Sequence, residues 1–294
     1  MEVLDEAGPP HSSEDIGPTL IAYVVCLVAL SVVFIALRLY IRLRIIRNFG
    51  MDDWALVLTM VIIISCVAGM VVVVRFGLGR HMDSLSRSTQ GVILTMIWFI
   101  SIGYHFTIMV LKSAFLLQFR RAFPLPTFQR LCDIFLGFIA CWTVAGIIAS
   151  ITICLPISEQ WTPESLEPQR LCRARTRWWL AHGIMHVITD CIIFFMPLPL
   201  LNSLPMPRIH KIILIGVFGL GFLTCAISAA RITTLHAALQ SQDASWDMAR
   251  TVFWTFGEVA CAVLCLCIPT LRPLLIARCF TMRCPQPYRL LASS

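Results

Sequence analysis

Four ionisable side chains, His105, Lys112, Asp190 and Glu258, fall inside long apolar runs of this sequence. A charge in hydrocarbon is costly unless it faces a protein interior, so each one marks a place where chemistry or recognition is expected. His182, His186 and Asp190 recur every four residues, and four helical residues turn through about 400°, so the three side chains share an arc of roughly 80° on one helix face. This stripe has two readings. It is either a polar pocket, with the His and carboxylate donors that zinc accepts, or a hydrogen-bonded ladder tying one helix to its neighbours. Two His at i, i+4 lack the remainder of a metal motif, so no metal is expected. Asp190 and Glu258 form a pair of buried acids suited to sharing a proton, binding a cationic ligand or acid catalysis in a dry pocket. The alternative for Glu258 is a structural tie to Arg231, Trp or Ser groups. The expected ligand pocket is therefore His105, His186, Asp190 and Glu258, with Asp190 and Glu258 as the acids if the protein is an enzyme.

Helices that cross a bilayer must hold these groups. The chain is 58% hydrophobic and only 13% charged, with a mean hydropathy of +0.83, which excludes an ordinary soluble domain. A hydrocarbon core roughly 30 Å thick needs about 20 helical residues, and helices satisfy their own backbone groups where no water is present. The apolar runs predict spans over 19–39, 53–74, 91–119, 131–155, 178–201, 212–235 and 251–276. The expected fold is all-α, a polytopic bundle of seven transmembrane helices embedded in the lipid bilayer. Residues 1–18 form an acidic tail outside, 19–276 the helical domain and 277–294 a short basic cytoplasmic tail. With the N-terminus outside, thirteen Lys and Arg fall on the cytoplasmic side and nine on the other, and four Arg follow the first span while none precede it. That asymmetry sets the orientation. The acidic N-terminal residues supply no cationic region for a cleaved signal peptide, so the first span is expected to act as its own insertion signal.

The net charge of +7 is spread beside the spans rather than gathered in one patch, which fits anchoring at anionic headgroups and no nucleic-acid partner. Asp52 and Asp53 open the second span close to the Arg cluster at 38–47, a pattern expected to clamp the cytoplasmic face. Nine of the thirteen Cys lie in or against helices, where they pack as small apolar groups. Cys154 and Cys172 flank one outer loop, and a disulfide is expected there because the loop faces an oxidising compartment. Pro197 and Pro199 break the inner end of the fifth span, and Pro269 with Pro273 stiffens the end of the seventh.

In order along the chain stand Arg38-Leu-Tyr-Ile-Arg42, Asn48-Phe-Gly-Met-Asp-Asp-Trp54, Gly77-Leu-Gly-Arg-His81, Lys112-Ser113 and Cys154-Leu-Pro-Ile with Cys172. Asp190 with Pro197-Leu-Pro199, then Lys211, Ser228 to Arg231, Glu258 and Pro269-Thr-Leu-Arg-Pro273 follow. Together they resemble the fungal rhodopsin-like family of seven-helix membrane proteins, the group named after a satratoxin-cluster membrane protein. The motif positions are Arg38, Arg42, Gly50, Asp52, Asp53, Trp54, Gly79, His81, Lys112, Pro197, Pro199, Lys211, Arg231, Pro269, Arg272 and Pro273. The resemblance implies a multi-pass, receptor-like or accessory membrane protein, in several members encoded beside secondary-metabolite genes. Two features depart from it: His186 stands where Asn is usual, and residues 1–18 hold no Cys, so the adhesion or haem role of the related CFEM-type receptors is not implied. A retinal Schiff base requires a Lys in the bundle, usually on the last helix, and the two Lys here are Lys112 and Lys211. No cofactor is expected, and retinal least of all. The first expectation is a receptor-like protein with a small apolar ligand and a cytoplasmic protein partner near Pro197 to Lys211, in either the plasma membrane or an endomembrane. Its rival is a membrane-embedded cyclase or isomerase of natural-product chemistry. A transporter is disfavoured because the sequence shows no internal repeat.

Overall fold

The computed structural model describes residues 15–81, 84–153, 173–202, 208–240 and 243–271. Helix α1 spans Gly17–Tyr40 and continues as a π turn over Ile41–Ile45; α2 spans Met51–Phe76, α3 Arg87–Ala122 and α4 Pro126–Thr152. Helix α5 spans Arg173–Phe195, the one-turn α6 Leu198–Asn202, α7 Arg208–Gln240 and α8 Ala244–Cys267, followed by a 3-10 turn over Ile268–Leu271. Seven of these helices, all but α6, are long and apolar enough to cross a membrane. The protein is an all-α, multi-pass membrane protein.

The helix ends follow from local chemistry. The Asp53 carboxylate accepts the Gly50 N–H at 3.0 Å and caps α2, and Ser86 accepts the Thr89 N–H to cap α3. Gly77, with φ +114°, ends α2 in the left-handed conformation. Pro197 has no N–H for the α5 ladder, and α5 stops at Phe195 before Pro199 enters the first turn of α6. Side chains such as Ile134, Phe222 and Val33 stay 61–70% exposed, the outward face that lipid covers. Helix α8 is the centre of the bundle: 61% of its apolar window is buried, against 17–28% in the other spans. The nine described Cys are all free thiols.

Two locks close the ends of the bundle. At the Arg-rich end, fully buried Arg38 donates to Asp53 at 3.0 Å and to Asp52, both on α2, to Gln118 on α3 at 2.8 Å, and to the Leu266 carbonyl in the last turn of α8. Arg121 adds Asp52 at 3.0 Å and the Asn48 carbonyl at 2.7 Å, and Arg42 lies 3.4 Å from Asp52. Gly50 is needed for this closeness, because a Cβ there would lie 2.6 Å from Arg121 Nη1. Trp54 points outward, edge-on to Phe49, in the manner of an aromatic interface anchor. At the opposite end the Ser245 hydroxyl donates to the Gly77 carbonyl and accepts the Gly79 N–H, each at 3.3 Å. His81 contacts Asp243 and stacks on Trp246 with ring centroids 4.8 Å apart. Thus the Gly77-to-His81 loop joins the start of α1, the end of α2 and the start of α8.

Three expectations need correction. The last spanning helix begins at Ala244, not Thr251, because Ser245 and Ala249 turn a buried face into the bundle although the segment reads as polar. Arg231, one of the nine basic residues assigned by charge to the outer side, is buried within the bundle. Helix α3 starts at Arg87 rather than at 91, since Ser86 caps it. The proposed Cys154–Cys172 disulfide, Arg272, Pro273 and most of the acidic and basic tails lie outside the described residues.

Candidate functional site

Midway along the bundle, α3, α5, α7 and α8 turn their polar side chains to one another. Tyr104 and Lys112 come from α3, His186, Thr189 and Asp190 from α5, Ser228 and Arg231 from α7, and Glu258 from α8. Eight residues separate Tyr104 from Lys112, and Ile108 lies between them, so all three share one face of α3. The Lys112 ammonium has three donors, and three acceptors meet it: Asp190 Oδ1 at 3.1 Å, the His186 carbonyl at 3.0 Å and the Thr189 hydroxyl. Asp190 Oδ2 lies 3.0 Å from His186 Nδ1. Glu258, 1% exposed, accepts the Tyr104 hydroxyl at 2.9 Å, lies 3.1 Å from Arg231 Nε and contacts the Ser228 hydroxyl. Ser228 also stands 3.2 Å from Asp190 Oδ2, so a single hydroxyl bridges the two acids. The Arg231 guanidinium rests 4.8 Å above the Tyr104 ring centre, a cation–π contact strengthened by desolvation.

The charges in this cluster cancel: two carboxylates face one ammonium and one guanidinium. Ionised groups at this depth are tolerable only when so paired. His186, Asp190 and Glu258 each place a donor atom within 4.8 Å of the others, a spacing that suits a metal ion. A divalent cation would nevertheless bring surplus positive charge beside Lys112 and Arg231, so the donor set fits an ion-paired cluster better than a metal centre.

Of the four pocket residues read from the sequence, His186, Asp190 and Glu258 come together. His105 does not join them. Its Nδ1–H donates to the Ser101 carbonyl at 2.6 Å, and its ring meets His182 at 4.5 Å, Tyr104 at 5.9 Å and Trp179 at 6.1 Å, beside the ion-paired cluster rather than in it. Because α8 starts early, Glu258 lies closer to its Cys267 end than to Ala244. Lys211 falls in the first turn of α7. Sequence reasoning missed Tyr104, Thr189 and Trp142; the eight-residue interval to Lys112 was the available signal for Tyr104.

The cluster forms one end of a cavity that runs toward the Arg38 end between α3, α5, α7 and α8. Ile108, Leu111, Phe115, Phe119, Ile193 and Phe194 line it with carbon, and Lys112, His186, Asp190 and Glu258 give it a polar end. Gly221 leaves room for the Phe194 ring, since a Cβ there would lie 2.4 Å from it.

Seven spanning helices around a buried, charge-balanced cluster define an integral membrane protein of the seven-helix class. The chain matches the fungal rhodopsin domain over residues 37–277 and belongs to that family. It is 27% identical, over 63% of its length, to fugralins biosynthesis cluster protein 2 of Gibberella zeae, covering 48% of that protein. With polyenoic acids biosynthesis gene cluster protein Ba17b of Metarhizium anisopliae it shares 21% identity over 90% of this chain and 75% of the other. A satratoxin biosynthesis cluster protein of Stachybotrys chartarum is 23% identical over 46% of this chain and 47% of its own. The matches thus span about half the length of the first and third of these relatives. No solved structure matches the chain.

Proposed function

We propose that this protein is a receptor-like membrane component of a fungal secondary-metabolite system, and that it binds a small, mainly apolar molecule in the cavity beside the Lys112–Asp190 pair. The observation that carries the reading is the joining of an apolar cavity to a charge cluster fed by four helices. A ligand touching Lys112 or Asp190 changes the balance of an interaction that holds α3 against α5, and binding shifts an equilibrium by its differential affinity for the two arrangements. Helices α5 and α7 lead into the α6 turn at the Arg-rich end, so their displacement would reach a cytoplasmic partner there. The names of the relatives, each from a biosynthetic gene cluster, support the metabolic setting. The enzyme reading is weaker because both carboxylates are already engaged by cations and hydroxyls, so neither stands ready to deliver a proton.

Deletion of the gene followed by transcript and metabolite profiling tests the proposal. Sensing predicts loss of a set of transcripts, restored by wild type and not by the charge-balanced double variant Lys112→Met/Asp190→Asn. Accumulation of one late precursor with normal transcripts would instead establish the enzyme.

A further inference from the structure

Between α3, α4 and α5 lies a second cavity. Carbon from Met109, Phe138 and Ile139 makes part of its wall, Trp142, His105, His182 and His186 bring ring nitrogen, and Tyr104 and Thr143 bring hydroxyls. Trp142 Nε1 and His182 Nε2 are both buried, and neither has a hydrogen-bond partner. The rings are held where they are. Trp142 packs near-parallel to Phe138, Trp178 and His182, with centroids 6.0–6.3 Å apart. His182 meets the His105 ring edge-to-face at 4.5 Å and passes over Gly146, where a Cβ would lie 3.0 Å from its Nε2. An indole N–H can only donate, and a buried donor without an acceptor is both costly and rare in folded proteins. Of the other polar side chains of the wall, Lys112 and Thr189 have their partners in the charge cluster, Tyr104 donates to Glu258, His105 to the Ser101 carbonyl, and His186 Nδ1 faces Asp190.

We infer that this cavity is a binding site for a flat, mainly apolar molecule carrying a carbonyl oxygen, which accepts hydrogen bonds from Trp142 and His182 while its hydrocarbon lies against Phe138 and Ile139. The oxygen supplies the missing acceptor, and the carbon wall supplies the affinity. His182 holds its proton on Nε2 in the bound form, the tautomer that lets it donate. The site adjoins the cavity of the proposed function, sharing Ile108, Lys112 and His186 with it, and is told apart from it by Trp142, which lines this cavity alone.

The test compares fluorenone with fluorene, which share one fused-ring skeleton and differ by a carbonyl in place of a methylene. Both are titrated into the full chain in lipid nanodiscs with isotope-labelled indole nitrogens, the Trp142 resonance being assigned by its loss in Trp142→Phe. The expected result is a roughly tenfold preference for fluorenone, the scale of one or two net hydrogen bonds, together with a shift of the Trp142 indole signal. Trp142→Phe keeps the ring and should bring the preference close to one, and Gly146→Ala, which crowds His182, should reduce it. Equal affinity for the two probes, failure of both to bind, or a preference that survives Trp142→Phe would each overturn the inference. Equal binding that leaves the Trp142 signal unmoved would do so while leaving the inner cavity's role intact.

Discussion

Lys112 is committed on all three of its N–H bonds, and Asp190 is held in turn by Lys112 and faced by His186. Removing one partner of such a pair strands the other's charge in a dry interior, whereas removing both leaves a neutral site. Lys112→Met is therefore expected to destabilise the protein by about 3–5 kcal/mol, and Lys112→Met/Asp190→Asn to recover most of that loss; thermal unfolding in one detergent reads both. Tyr104→Phe removes the hydroxyl that Glu258 accepts, and the loss of a hydrogen bond to a charged group should cost about 1.5–3 kcal/mol in the same assay. The acids were legible in the sequence because a carboxylate in an apolar run must face the protein interior, and the tie of Glu258 to Arg231 and Ser228 is the structural alternative read there. Tyr104 was not: one Tyr on an apolar helix is ordinary, and only the fold shows that its face meets Glu258.

At the scale of elements, the two end locks account for seven of the sixteen motif residues, Arg38, Arg42, Gly50, Asp52, Asp53, Gly79 and His81. Arg38 spreads a planar fork over acceptors on α2, α3 and α8, a geometry that an ammonium cannot reproduce. Arg38→Lys should thus lower the melting temperature nearly as far as Arg38→Ala, and a variant retaining wild-type stability would show that charge alone suffices. At the other end, Gly79 has φ +94° and its missing Cβ would lie 3.0 Å from the Gly17 backbone nitrogen, whereas that of Gly77 meets only the movable Leu85 side chain. Both substitutions to Ala carry left-handed strain, but Gly79→Ala is expected to be the worse, again by thermal unfolding. Apolar runs were enough to place seven helices, and the nearness of Asp52 and Asp53 to the Arg cluster was enough to suggest a clamp. The start of α8 was hidden because Ala244 to Arg250 is polar on average, and its buried residues, Ser245 and Ala249, are small.

For the molecule as a whole, the seven spans among the described residues predict that residues before the first and after the last lie on opposite faces of the membrane, and the Arg bias predicts that the Arg38 end faces the cytoplasm. Tags at the two termini should differ in accessibility in intact cells, the C-terminal one becoming reachable only after permeabilisation. The Leu266 carbonyl that Arg38 holds belongs to the final crossing, whereas Arg38 itself enters the membrane with the first. A nascent chain therefore holds Arg38 with its α2 and α3 partners but without its α8 acceptor until α8 has been made. Packing of α1 waits on α8, and products that stop before α8 would keep a guanidinium one acceptor short, a defect that membrane quality control can recognise.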